Sequence, residues 1–312
     1  MNIPIPLRPS SGSSEREVRS QGDPGKVLRL AIPVSLESVF QMGFNVIDQM
    51  IVGLLGADAV AAVGLSNSIA SIAMLLYAST GVGAGVMVAR AFGRKGMDEV
   101  SQIASAGQAL SGLLGVLTAF LLVTFSRPLL RLVGADPKLA GSADSYFQLY
   151  AVSIAPMILS AVISAVFRSL NAPRTPLIIT SAAVALNTAL AFVLVLGFGP
   201  IHSFGVAGAG WATLLSQSGR CFALIMFLYA GKKGVSWIWP QPGSKIGATA
   251  AKLLRLTGPI ALSEVLWGMS TFIYAVVFTH LGTTTLAASQ IVLSWRAFSL
   301  WRPRAWRRRP WR

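Results

Sequence analysis

The segment Leu28–Leu65, which opens LRLAIPVSLESV and closes LLGADAVAAVGL, returns without a gap as Leu254–Ile291, LRLTGPIALSEV to HLGTTTLAASQI. Arg29 meets Arg255, Pro33 meets Pro259, Gly56 meets Gly282, and Ala61-Ala62 meets Ala287-Ala288. Aligned punctuation of this kind is harder to obtain by chance than aligned apolar filler. It predicts two structurally equivalent lobes, as internal repeats do in polytopic membrane proteins. A second half of equal length would carry the chain to roughly 450 residues, whereas the sequence stops at Arg312. One complete lobe and the opening of another are therefore expected.

The repeat lies in strongly apolar sequence. Hydrophobic residues make up 54% of the chain and charged residues 12%, far from the balance of a soluble domain. Charge-free stretches run over 59–89, 100–126 and 145–167. Each exceeds the 20 or so apolar residues a helix needs to cross the hydrocarbon core. The expected fold is an all-α polytopic membrane protein, with helices over 27–55, 60–89, 101–125, 144–168, 175–197, 207–231 and 256–281. An eighth segment is expected from Thr284. Turn chemistry separates them at Gly56-Ala57-Asp58, Gly93–Gly96, Gly134–Pro137, Asn171-Ala172-Pro173 and Gly197–Pro200. The corresponding divisions are an arm (1–26), a six-helix lobe (27–231), a linker (232–255), the start of a second lobe (256–294) and a tail (295–312). The arm lacks the apolar core of a signal peptide, so the first helix is the expected insertion signal.

The formal net charge of +15 is mostly topology. With the N-terminus in the cytoplasm, the inner segments collect Arg8, Arg16, Arg19, Lys26, Arg29, Arg90, Arg94, Lys95, Arg168, Arg174, Lys232, Lys233, Lys245, Lys252 and Arg255. The outer segments hold only Arg127, Arg131 and Lys138. That asymmetry satisfies the positive-inside rule and gives no reason to invoke nucleic acid. The expected setting is the cytoplasmic membrane, with the lipid bilayer as the main partner. Cys221 is the sole cysteine, so neither an internal disulfide nor a cysteine metal site is expected. His202 and His280 fall near outer helix ends and read as interfacial residues. No paired DDxxD carboxylates suggest a Mg²⁺-dependent prenyl-transfer enzyme.

Ionisable residues inside membrane spans are expensive and face a bundle interior or a watery cavity. Glu37, Gln41, Asn45 and Asp48 fall at about 0°, 40°, 80° and 20° around a helix, forming one polar stripe about 16 Å long. Asp48, deep in the span, could take up a proton, share Na⁺ with neighbouring oxygens, or cap a kink. Glu37 lies nearer the helix end and suits either a core-facing pocket or a snorkelling surface position. Glu264 is one position from the repeat equivalent of Glu37 and carries the same ambiguity. Arg220, mid-span, needs a partner or a watery path, and Asp48 is the chemical candidate. Pro33, Pro156 and Pro259 permit bends.

Four blocks in order resemble the multidrug and toxic compound extrusion (MATE) transporters: NVIDQMIVGLLGADAVAAVGL (45–65), GVGAGVMVARAFGRKGMDEV (81–100), FRSLNAPRTPLIITSAAVALN (167–187) and GFGPIHSFGVAGAGWAT (197–213). The resemblance covers about 27–294. It implies two six-helix lobes around a cavity open alternately to either side, exporting small cationic or amphipathic substrates against inward H⁺ or Na⁺ flow. No enzyme activity and no cofactor beyond the coupling ion are implied. In archaeal and related bacterial members, the ion site of the first lobe is an aspartate, an Asn–Asp pair one turn apart, and a threonine. Asp48, Asn187 and Thr213 match three of these, while Ala191 stands where the second aspartate would be, favouring H⁺ over Na⁺. Glu37, Gln41, Asn45 and Glu264 are the expected substrate-cavity residues, from their polarity and depth in the spans.

The tail WRAFSLWRPRAWRRRPWR departs from the family pattern, which continues helix eight and adds four more. A frameshift after Ser294 is the expected origin; a basic tail binding anionic lipid is the alternative. As written, the chain is expected not to transport. A lipid-linked oligosaccharide flippase of the same fold superfamily is a further reading, though the acidic stripe argues against the cationic cavity such proteins favour. A remnant acting only by association with another membrane protein is the last.

Overall fold

A computed structural model describes residues 24–132, 137–198, 202–230, 235 and 246–280. Eight helices lie in those residues: α1 (Pro24–Gly53), α2 (Ala57–Gly93), α3 (Met97–Thr124), α4 (Ser126–Leu132), α5 (Pro137–Ser169), α6 (Arg174–Leu196), α7 (Val206–Ala230) and α8 (Ile246–His280). The result is an all-α bundle of membrane type. Five of the helices carry windows long and apolar enough to cross a bilayer: Leu28–Gly53, Met97–Thr124, Ala143–Ser169, Arg174–Leu196 and Val206–Ala230. The N-terminal arm before Pro24, the eighth segment from Thr284 and the Trp/Arg tail fall outside the described residues.

Most expected boundaries shift by only a few residues, and three differences have visible causes. The loop expected after the third helix begins with α4, whose Arg127 Nε donates to Asp144 Oδ2 at 3.1 Å. That ion pair ties α4 to the start of α5, so the polar run 137–143 winds as helix instead of loop. The helix expected from 256 begins at Ile246, because 246–255 contains no glycine after Gly247 and no proline. Pro33, Pro156 and Pro259 all sit inside continuous helices. Their missing donors are tolerated where neighbouring groups compensate within a membrane bundle.

The chain divides after Ala261 into two compact units, and the bundle described next belongs to the first. Its centre is α5, which packs against α2, α3 and α7. From Ser160 to Phe167 every residue of α5 is buried, the pattern of a helix enclosed on all sides. Small residues permit this closeness. A Cβ added at Gly81 or Gly85 of α2 would lie 3.5 Å from the Cβ of Ala161 or Ala165 of α5, two small-residue ridges in register. The turn at α6's start is set by Asn171, which adopts φ 55°, and by Ala172 N–H donating to Phe167 O at 2.9 Å.

The polarity of the bundle suits a lipid surround. Leu113, Val116, Leu117, Phe120, Phe222, Met226 and Phe227 are exposed, whereas Ser105, Gln108, Ser111, Ser160 and Ser164 are buried. Large apolar side chains on the outer surface are what a hydrocarbon solvent allows. Gln108 of α3 closes one interior polar contact by donating Nε2 to Tyr229 Oη of α7. Helix α1 packs chiefly on α6, with smaller contacts to α2 and α7. That placement brings its polar stripe against the interior.

Candidate functional site

The ambiguity of Glu37, pocket or snorkelling surface position, is resolved by burial. Its side chain is 4% exposed, and three side chains from three other helices converge on the carboxylate. Arg168 of α5 donates Nη1 to Oε2 at 3.1 Å, Thr180 of α6 donates Oγ1 to Oε1 at 3.3 Å, and Arg220 of α7 reaches Oε1 with Nη2 at 3.5 Å. A snorkelling surface position is thereby excluded. The partner expected for Arg220 also changes. Glu37, not Asp48, is its carboxylate: α7 brings Arg220 Nη2 to 3.5 Å from Glu37 Oε1.

Arg168 was read from sequence only as one of the basic residues that set topology, and Thr180 carried no signal at all. A basic residue at the end of a span reads first as a topological marker. Nothing in spacing shows that its side chain turns inward to a residue 131 positions earlier. The consequence for the stripe is chemical. At its Glu37 end one carboxylate faces two guanidiniums, so the expected acidic character does not hold there.

Gln41, one turn beyond Glu37, lines a cavity of about 20 Å³ with Thr180, Ala183, Val184, Gln217 and Arg220. Asn45 lies in α1 between Gln41 and Asp48, and the placement of its side chain is outside the described features. Glu264 is half-buried on α8 in the second unit.

Asp48 is buried near the far end of α1, and its Oδ1 has no hydrogen-bond partner. Asn187 of α6 donates Nδ2 to Ser216 Oγ of α7 at 3.0 Å. Ser216 Oγ in turn donates to Thr213 O at 3.1 Å, and Thr213 Oγ1 donates to Ala209 O at 3.0 Å. Asn187 and the Thr213 turn are thus joined, while Asp48 is bonded to neither among the described residues. One apolar cluster fixes their relative height: it contains Ile51 and Val52 of α1, Ala191 of α6, Ala212 of α7 and Tyr146 of α5. Ile51, Val52, Ala191 and Ala212 neighbour Asp48, Asn187 and Thr213 along their helices. Ala191, fully buried, contributes a methyl group to that cluster and no oxygen. Among the described residues, no three His, Cys, Asp or Glu side chains converge as a metal site would require.

The sequence pattern of the MatE family matches residues 33–193, more than half of the chain. The chain belongs to the MatE family. The matched stretch carries Glu37, Asp48, Arg168, Thr180 and Asn187, so most of both polar clusters lies within the shared core; Thr213 and Arg220 lie beyond it. Among MatE relatives, a probable multidrug resistance protein NorM of Bradyrhizobium diazoefficiens is 29% identical over 86% of this chain and 58% of its own length. A probable multidrug resistance protein YoeA of Bacillus subtilis is 25% identical over 84% of this chain and 57% of its own.

Two solved structures show the same fold. A MOP superfamily transporter from Pyrococcus furiosus, described as having a binding pocket of reversed polarity, matches at TM-score 0.75 and 24% identity, over 88% of this chain and 60% of its own. A mutant of the Vibrio cholerae MATE transporter VcmN matches at TM-score 0.78 and 21% identity, over 88% and 61%. The chain spans about three fifths of the length of these MatE relatives.

Proposed function

We propose that this MatE chain supplies the first lobe of a secondary antiporter that exports organic cations or amphipathic drugs in exchange for H⁺ or Na⁺. Six membrane helices form that lobe, α8 opens the second, and Asp48, Asn187 and Thr213 are the coupling residues. The observation that carries the reading is the unpartnered, buried carboxylate oxygen of Asp48. A buried polar atom without a partner is costly, and an ion that arrives and departs offers Asp48 a partner for part of the transport cycle. Ala191 withholds the second carboxylate that would favour a desolvated Na⁺, so a proton on Asp48 is the preferred coupling species.

In an antiport cycle, the lobe need only hold ion and substrate in alternation. Ion occupancy of Asp48 changes the charge at the level of Asn187 and Thr213. Rearrangement of α1 around Pro33 then changes what the cavity offers to substrate. Alternating access of this kind is rocking of one repeat against the other around a central site. Glu37, Gln41 and Asn45 are assigned to substrate contact in the first lobe, with Glu37 held by its arginines, and Glu264 separately to substrate contact in the second.

The test is dye efflux by a chain extended to the twelve helices of a two-lobe transporter, expressed in an efflux-deficient host. Asp48→Asn should abolish efflux of a cationic dye while the protein still inserts. Undiminished efflux would exclude the assignment. The flippase reading gains one observation, the two guanidiniums at Glu37. It predicts no dye efflux by the extended protein carrying Asp48 and transfer of a lipid-linked oligosaccharide in the same host.

A further inference from the structure

The Glu37 cluster holds more positive charge than its hydrogen bonds use. Arg168 and Thr180 already engage both carboxylate oxygens at 3.1 and 3.3 Å, and Arg220 reaches only to 3.5 Å. That last distance is at the outer limit of a useful hydrogen bond. The Arg220 side chain is 4% exposed, yet its Nε has no partner. Three residues earlier on the same face of α7, the buried Gln217 leaves its amide Oε1 unpartnered too. Both residues line the cavity of about 20 Å³, room for a water molecule or an ion of similar size.

A buried guanidinium carries a desolvation penalty of several kcal/mol unless its charge and its donors are both answered. A water molecule would satisfy the Nε donor and leave the charge surplus. A compact anion satisfies both. The Gln217 amide can present either end, since its oxygen and nitrogen exchange by a simple rotation; turned about, it adds an N–H donor beside Arg220. The apolar remainder of the lining, Ala183 and Val184, excludes a large hydrated ion and strengthens the electrostatic attraction.

We propose that this cavity is a binding site for a compact monovalent anion, held by Arg220 and Gln217 and offered either as free chloride or as the carboxylate of an organic solute. The site goes beyond the proposed antiport and does not depend on Asp48. It adds an anion-recognising group to a lobe otherwise read as cation-selective. A carboxylate occupant would make the preferred substrate zwitterionic.

The experiment uses the purified 312-residue chain in detergent, titrated with sodium chloride, formate or gluconate at constant ionic strength. Radioactive chloride retention in equilibrium dialysis is read beside thermal stability. Saturable chloride retention and a rise in Tm with chloride are expected, with no rise in gluconate, which is too large for the cavity. Arg220→Gln should weaken retention about tenfold or more, as loss of a charge-assisted contact does. Gln217→Glu supplies a tethered carboxylate, so it should abolish retention and leave the protein stable without chloride. Displacement of chloride by formate assigns the site to carboxylate solutes; failure of formate to compete assigns it to the free halide. Equal stabilisation by chloride and gluconate, or undiminished retention in Gln217→Glu, would overturn the proposal. Asp48→Asn protein should retain chloride normally, which separates this result from the fate of the antiport reading.

Discussion

Arg168 and Glu37 stand 131 residues apart in the chain and 3.1 Å apart in the bundle. Their ion pair joins α1 to α5, two helices between which the helix-to-helix packing is otherwise indirect, through α6 and α2. The carboxylate is 4% exposed and the Arg168 guanidinium a third exposed, so the pair is sheltered on one side only. Arg220 closes it from the interior.

Removal of that carboxylate strands a buried cation. Glu37→Gln should lower stability by on the order of 3 kcal/mol, as breaking a buried ion pair does. Arg168→Gln should cost less, about 1 kcal/mol, because solvent screens its exposed side. The double variant Glu37→Gln with Arg220→Gln should recover part of the loss, since coupled residues are not additive. Thermal unfolding in detergent reads all three. A Glu37→Gln protein as stable as the unmodified chain would mean that the cluster contributes nothing.

Helix contact in α3 gives a sign test. A Cβ at Gly115 would lie 2.8 Å from the Ala155 Cα, whereas one at Gly112 meets nothing within 4 Å. Replacing a helical glycine by alanine restricts the unfolded chain and stabilises by about 0.4–1 kcal/mol where space allows. Overpacking against backbone costs about 1–3 kcal/mol. Gly112→Ala should therefore raise Tm and Gly115→Ala lower it. The same sign for both would refute the close approach of α3 and α5.

The order of the long helices was legible because long apolar runs alternate with turn residues such as Gly56, Gly93–Gly96 and Asn171–Pro173. The start of α5 was not, because Lys138 and its polar neighbours up to residue 143 read as loop until Arg127 is seen to pair with Asp144. The Arg220 partner was misassigned for a different reason. Glu37 and Asp48 differ by only about 20° around α1, so periodicity puts both on the inward face. Which of them meets residue 220 depends on the register between helices, which a single sequence does not encode locally. Asp48 was legible from its depth in the polar stripe, Asn187 and Thr213 only through family resemblance, and the pairing of Arg220 with Gln217 at one cavity only from packing.

Topology can be read by labelling in a Cys221→Ser background. The basic asymmetry leads us to propose that the Gly93–Gly96 turn lies inside and His202 outside. Lys95→Cys, at an exposed site, should react with an impermeant reagent only after the membrane is opened. His202→Cys, also exposed, should react in intact cells. The reverse pattern would invert the assigned orientation.

The central claim is that Asp48 binds the coupling ion, and ion binding by the purified chain tests it most directly. Proton uptake on acidification and Na⁺ binding by calorimetry should be compared for the unmodified protein, Asp48→Asn and Ala191→Asp. The account predicts a saturable proton uptake that disappears in Asp48→Asn, weak Na⁺ binding in the unmodified chain, and stronger Na⁺ binding once Ala191→Asp supplies a second carboxylate. Proton uptake and Na⁺ binding identical in the unmodified and Asp48→Asn proteins would contradict it.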